Sequence, residues 1–338
     1  MRAPGMKVSF IIPLYNCLPL TQAMLASLRA TVPAGLAHEI VLVDDGSTDG
    51  TRAWLPELSP PARVILNDRN LGFAGACNRG AAAANGEFLF FLNNDLELRP
   101  GWLEPMLAVF ADHADAGVVG NVQLRMATGE VDHAGIRFNY QGKPEHLTTL
   151  PLTTRLLGWP ASRRVDAVTG ACVALRHGLW AQLDGFDEAY RNGGEDIDLQ
   201  LRAEAMGCHH YVALRSVIRH HVSASPGRKL RDEHNSRRLL ARWRAAIEPR
   251  ILRAAAQACL AASWEEPRDY ADPQLALEAA LFLLHLAPPS GHLCAAAAAG
   301  LDWELAHWAA LLDGAPAREP RAVAPNYFPV IVLRPDAI

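Results

Sequence analysis

Short apolar runs rich in Val, Ile, Leu and Phe punctuate the first part of the chain, at residues 7–14, 39–44, 63–67, 87–92 and 117–124. Each is bounded by polar or turn-forming residues, which predicts strands. Residues 20–30 space their apolar side chains at helical intervals, and Pro100 stands where a following helix would begin, since its missing N–H is no loss in a first turn. Strand and helix therefore alternate, predicting an α/β fold with a mostly parallel, Rossmann-like sheet flanked by helices. In open sheets of this kind ligands collect beyond the carboxyl ends of the strands. Those ends carry Asn16, Asp44, Asp45, Asn70 and the tripeptide Asn93-Asn94-Asp95.

The rhythm is lost over 125–165, which reads as long loops, and it resumes at 171–176. From about Arg231 the composition shifts. Leu240, Trp243 and Ile247 share one helical face while Arg237, Arg238, Arg242 and Arg244 occupy the others. An Ala- and Leu-rich region follows to about Gly314, and 328–333 reads as an edge strand. The expected division is a domain over 1–230 and a helical C-terminal region over 231–338 that serves packing or homo-oligomerisation, with Trp303 and Trp308 needing a partner surface. Residues 279–301 lack charged side chains, but Pro288-Pro289-Ser290-Gly291 splits them, which predicts two short buried helices and no transmembrane segment.

Composition narrows the function classes. Across 338 residues, 50% are apolar and 20% charged, which excludes disordered and fibrous classes, and a net charge of −4 gives no global attraction to nucleic acid. Six cysteines without a CxxC pair and an N-terminus without a leader pattern point to a cytoplasmic protein, at most peripheral to the inner face of a membrane.

Four segments carry candidate chemistry. In VLVDDGSTDGT, Asp44 and Asp45 end a strand where a carboxylate could accept hydrogen bonds from a ribose or base, although Ser47 or Thr48 could simply cap a helix. In NLGFAGACNRGAAAANGEFLFFLNND, small residues precede a helix expected to end at a left-handed Asn85-Gly86 stop. The Asn93-Asn94-Asp95 turn that follows suits a hard divalent cation bound to phosphate. In RNGGEDIDLQLRAEAMG, Glu195 and Asp196 begin a helix whose N-terminus favours ionised carboxylates, the state a general base needs. His220 and His221 follow a further strand and offer imidazole to a divalent ion.

Taken together and in order, VSFIIPLYN, VLVDDGSTDGT, NLGFAGACNRG, FLFFLNND, VTGACVALR, GFDEAY, GGEDIDLQLRAEAMG and HHVSAS resemble glycosyltransferase family 2 over about residues 7–226. These are inverting nucleotide-sugar transferases of the GT-A fold, and the resemblance is strongest to rhamnosyltransferase-like bacterial members that build cell-surface polysaccharide. The resemblance implies that Pro13, Tyr15, Asn16, Asp44, Asp45 and Asn70 surround the nucleotide, with Asn93 and Asn94 beside them. It places Asp95 as ligand of a Mn or Mg ion, with His221, or failing that His220, as a further ligand. Thr169 and Gly170 would line the sugar pocket, and Asp196 or Glu195 would be the base. One departure stands out: the first position of the family's DxD motif is Asn93.

The implied partners are a UDP- or dTDP-sugar and a glycan, lipid-linked or protein acceptor. A non-catalytic nucleotide-sugar-binding or scaffold protein of the same fold is the alternative.

Overall fold

A computed structural model describes residues 7–58, 62–151, 153–154, 160–221, 228–265 and 272–312, without the side chains of 228–232, 262, 264–265 and 311–312. The expected edge strand at 328–333 lies outside the described residues.

The chain divides into two units, Met1–Arg137 with His146–Arg231, and Phe138–Glu145 with Asp232–Ile338. The first unit begins with β1 (Lys7–Leu14), α1 (Leu18–Thr31), β2 (Ala37–Asp44), α2 (Thr51–Trp54), β3 (Arg63–Leu66), α3 (Gly72–Ala83) and β4 (Phe88–Leu92). After β5 (Leu96–Glu97), α4 (Leu103–Asp112) and β6 (Ala116–Arg125) come β7 (Val131–His133) and β10 (Ser162–Val165); between these two in the chain lie β8 (Ile136–Phe138) and β9 (Pro144–His146), within which the division between the units falls. It closes with β11 (Cys172–Arg176), α5 (His177–Leu183), α6 (Glu195–Ala205) and β12 (His209–His220).

The main sheet runs β10-β12-β6-β11-β4-β1-β2-β3, with β5 added on β12 and β7 on β6. Strands β3, β2, β1 and β4 are parallel, as the alternation predicts. Beyond them β11 runs antiparallel to both neighbours, so the sheet is mixed.

The central strand β1 shows why helices cover both faces. Phe10 and Ile12 join one apolar cluster with Leu25 of α1 and Met106 of α4, while Ile11 joins another with Ala81 of α3 and Leu199 of α6. Successive strand residues point to opposite faces, and both faces here are apolar. Helix α3 lies close because it presents Gly80: a Cβ there would sit 2.5 Å from Ile11 Cγ2.

Several local expectations are corrected. Helix α3 stops at Ala83 with Ala84 extended, and Asn85-Gly86 is not a left-handed stop. Gly86 is small because it abuts β1, where a Cβ would come 2.6 Å from Ser9 N. Pro100 lies ahead of α4, in a turn closed by the Trp102 N–H on the Arg99 carbonyl. The stretch 125–165 is not all loop, because β7, β8, β9 and β10 lie within it, too short at three or four residues to show a period. Neither Ser47 nor Thr48 caps α2, whose cap position is Gly50.

The second unit contains α7 (Arg228–Glu265), α8 (Pro273–Leu283) and α9 (Gly291–Leu312), with a kink in α7 at Trp243. Ala256, Cys259, Leu275, Ala279, Leu293 and Ala296 form its core. The Asp272 carboxylate caps α8 by accepting from the Gln274 and Leu275 N–H groups. No described helix is long and apolar enough to cross a membrane.

Candidate active site

The carboxyl ends of β1, β2 and β4 meet the start of α6 and the end of β12 around a cavity of about 380 Å³. Its walls are built by loops that fasten one another. Asn16 and Cys17 both take left-handed backbone conformations, with φ of 58° and 60°, turning the chain sharply after β1. The turn is latched to the loop after β2: the Asn16 N–H donates to Ser47 Oγ at 2.9 Å, and the Thr48 N–H donates to Asn16 Oδ1 at 2.8 Å. Asn16 therefore shapes the wall that its neighbours Pro13, Tyr15 and Cys17 present to the cavity.

The two aspartates ending β2 part company. Asp44 is fully buried and bound by the Arg52 guanidinium, with Nε and Nη2 at 2.8 and 2.6 Å from Oδ2, and does not line the cavity. Asp45 does line it. Its Oδ1 accepts from Asn67 Nδ2 and the Leu71 N–H at 2.7 and 2.9 Å, and its Oδ2 from the Gly72 N–H at 2.9 Å. Asp45 thereby fixes the loop that carries exposed Asn70 to the cavity rim.

On the floor, Asn93, Asn94 and Asp95 all line the cavity. Asn94 Nδ2 donates to Thr21 Oγ1 at 2.9 Å, anchoring the turn on α1. Strand β5 carries the chain onward from Asp95 and pairs with β12, which delivers His220 Nε2 to 3.2 Å from Asp95 Oδ1. His221 contributes its backbone N–H to the Asp95 carbonyl at 3.0 Å, and its ring is not among the cavity walls.

Among the described residues no three His, Cys, Asp or Glu side chains gather to enclose a metal ion. Asp95 and His220 are a carboxylate and an imidazole on one cavity wall, which is the donor set of a hard divalent ion completed by substrate phosphate and water. The residues present fit such an ion.

Gly193 and Gly194 take positive φ values of 149° and 89°, leading into α6. Glu195 Oε2 accepts the Gly193 N–H at 2.7 Å, which ties Glu195 into the loop. Asp196 Oδ2 accepts the Gly170 N–H at 2.7 Å and Oδ1 the Ile197 N–H at 2.9 Å. Burial raises the Asp196 pKa above the ordinary carboxylate value, and these hydrogen bonds together with nearby His146 oppose the rise. Thr169 and Gly170 line the same wall.

The sequence left four contributors unnamed. Gln123 lines the cavity from β6, and Asp132 and His146 line it from the stretch without visible periodicity. His146 Nδ1 lies 3.3 Å from the Asp132 carbonyl, and its ring packs edge-on against buried His133, whose pKa burial pushes well down. Gln200 is the fourth. Its Oε1 accepts the Val168 N–H at 2.8 Å, and its Nε2 donates to the Val168 and Asp196 carbonyls at 2.7 and 2.9 Å. A signal for it existed, since a polar residue one helical turn after Asp196 faces the same way.

The family described as Glycosyl transferase family 2 matches residues 9–170. The O-antigen biosynthesis protein RfbC of Myxococcus xanthus is 34% identical over 227 residues, a match that takes in 65% of this chain and 18% of that protein. An N-acetylglucosaminyl-diphospho-decaprenol L-rhamnosyltransferase of Mycobacterium tuberculosis is 27% identical over 63% of this chain and 76% of its own. Among solved structures, GalNAc-T7 with UDP, GalNAc and Mn2+ superposes with a TM-score of 0.59 at 17% identity, covering 92% of this chain and 58% of that one. That likeness extends the GT-A fold to this chain.

Proposed function

Because residues 9–170 belong to glycosyl transferase family 2, we propose that the chain is an inverting glycosyltransferase using a nucleotide sugar, with Asp196 as general base. The observation that carries this is that one cavity is lined both by Asp196 and by the Asp95–His220 pair. Inverting transfer is a single displacement and needs those two functions on opposite sides of the anomeric carbon.

Asp196 takes the proton of the acceptor hydroxyl. The acceptor oxygen forms its bond to the anomeric carbon as the bond to the diphosphate oxygen breaks, and that electron pair leaves with the nucleoside diphosphate. Asp95 and His220 would hold Mn2+ or Mg2+, which when bound supplies positive charge to the departing diphosphate. Tyr15, 53% exposed at the cavity mouth, offers an aromatic face to the nucleotide base. Asp45 and Asn70 lie beside it on the nucleotide side, and Thr169 and Gly170 border the sugar.

The donor is a UDP- or dTDP-sugar carrying a hexose or deoxyhexose, and the acceptor is a glycan, lipid-linked saccharide or protein. UDP in the GalNAc-T7 structure and L-rhamnose in the name of the mycobacterial relative support those classes. The decisive experiment incubates the chain with UDP- and dTDP-sugars, Mn2+ and a pool of lipid-linked and free saccharides, and follows nucleoside diphosphate release. Release that depends on both donor and acceptor supports the reading. Tight donor binding without release in any combination identifies a scaffold instead.

A further inference from the structure

A second cleft, of about 400 Å³, opens beside the edge strand β10 and the last turns of α6. Glu204 on its wall lies eight residues along α6 from Asp196, about 12 Å at the helical rise. Arg137, Arg163 and Arg164 line this cleft together with Asp166 and Glu204.

Arg163 is the informative one. It is half-buried, and its one hydrogen-bond partner among the described residues is the Ala134 carbonyl, 2.8 Å from Nη2. A guanidinium carries five N–H donors and a permanent charge, so one neutral acceptor leaves most of that capacity unmet. Burial pulls the Arg163 pKa down, and no carboxylate counters it. His209, on the same wall, has Nδ1 buried without a hydrogen-bond partner among the described residues. Beside the charged groups Ile136, Leu147 and Val165 form an apolar strip.

We propose that this cleft binds a phosphate ester, with the phosphoryl oxygens on Arg163 and Arg164 and the organic substituent along Ile136, Leu147 and Val165. Phosphate supplies the charge and paired acceptors that a planar guanidinium matches, and the apolar strip favours an ester over the bare ion. The ester has two sources. It is part of the acceptor, whose hydroxyl then reaches Asp196 one helix-length away, or it is a free effector. The first source rests on the transferase reading; binding itself does not.

The test titrates the full chain with inorganic phosphate and with octyl phosphate by calorimetry, chelator present so that no metal-held phosphate contributes. Octyl phosphate should bind more tightly than phosphate, and Arg163→Gln should weaken it about tenfold or more with an unchanged melting temperature. Arg164→Gln should weaken it less, and carries the comparison if Arg163→Gln fails to fold. Binding that survives Arg163→Gln and Arg164→Gln, or no binding to the wild type at millimolar ligand, overturns the proposal. Under turnover, octyl phosphate that raises the acceptor KM assigns the cleft to the acceptor, and one that alters kcat at saturating acceptor assigns it to an effector. A chain that binds octyl phosphate but transfers no sugar overturns the transferase reading alone.

Discussion

Gln200→Leu tests whether the turn beside Asp196 is held from behind. The substitution shortens the side chain by one bond and removes three hydrogen bonds, to the Val168 N–H, the Val168 carbonyl and the Asp196 carbonyl. The Asp196 carbonyl still accepts within the helix, so the cost falls on Val168, which is fully buried and loses partners for both backbone groups. At about 1–3 kcal/mol for each buried polar group left unpaired, the loss is roughly 2–6 kcal/mol, and the apolar side chain returns about 1 kcal/mol of it. A net destabilisation of about 1–5 kcal/mol should appear as a lower midpoint in urea denaturation with an unchanged slope. Loosening Val168 also loosens Gly170, whose N–H orients Asp196 Oδ2 at 2.7 Å. Misplacing a reacting group by about 1 Å costs on the order of 10²-fold, so kcat should fall about 10- to 100-fold while donor KM stays within about twofold. Wild-type stability with full kcat would show that the Gln200 contacts position nothing.

Three further outcomes follow from the same geometry. Arg52→Ala should destabilise by about 2–3 kcal/mol in chemical denaturation, below the usual 3–5 kcal/mol for breaking a buried pair because Arg52 is 39% exposed, and Asp44→Asn should recover part of the loss. Since burial raises the Asp196 pKa above 3.8, its basic form appears only as pH climbs through that raised value; kcat should show an acid limb there, and Asp196→Asn should abolish it. The same shift destabilises the ionised state, so the contribution of this group to stability is present below its unfolded pKa and lost as pH rises through the folded one. Asp95→Ala should remove Mn2+ stimulation and, in thermal-shift titration, Mn2+-dependent stabilisation by UDP; unchanged stabilisation would free Asp95 from the metal role.

The early strands were legible because burial on both faces leaves an unbroken apolar signal: β1 spans 7–14 in the sequence pattern and in the structure alike. The polar residues at their ends were legible for the same reason, since any departure from so apolar a background stands out. Their division of labour was not. Nothing in the order of Asp44 and Asp45 tells which meets Arg52 and which meets the Leu71 and Gly72 N–H groups, because strand alternation sends them to opposite sides. His220 and His221 pose the same problem, resolved only by the pairing of β12 with β5. Asp132 and His146 reach the cavity from three-residue strands, whose partners lie too far along the chain for local spacing to reveal.

The measurement that bears most directly on the central claim is turnover of Asp196→Asn against its affinity for the nucleotide sugar. The carboxamide preserves shape and removes basicity, and in the proposed reading the donor is held elsewhere, by the Asp45 loop and the Asp95 turn. The account predicts a fall in kcat of about 10²- to 10⁴-fold with donor affinity changed less than about threefold, and Glu195→Gln, whose carboxylate serves the Gly193 N–H, should retain more activity. Near-wild-type turnover of Asp196→Asn would contradict the account: with Glu195→Gln inactive the base would be Glu195, and with both active this loop would be no more than the start of a helix.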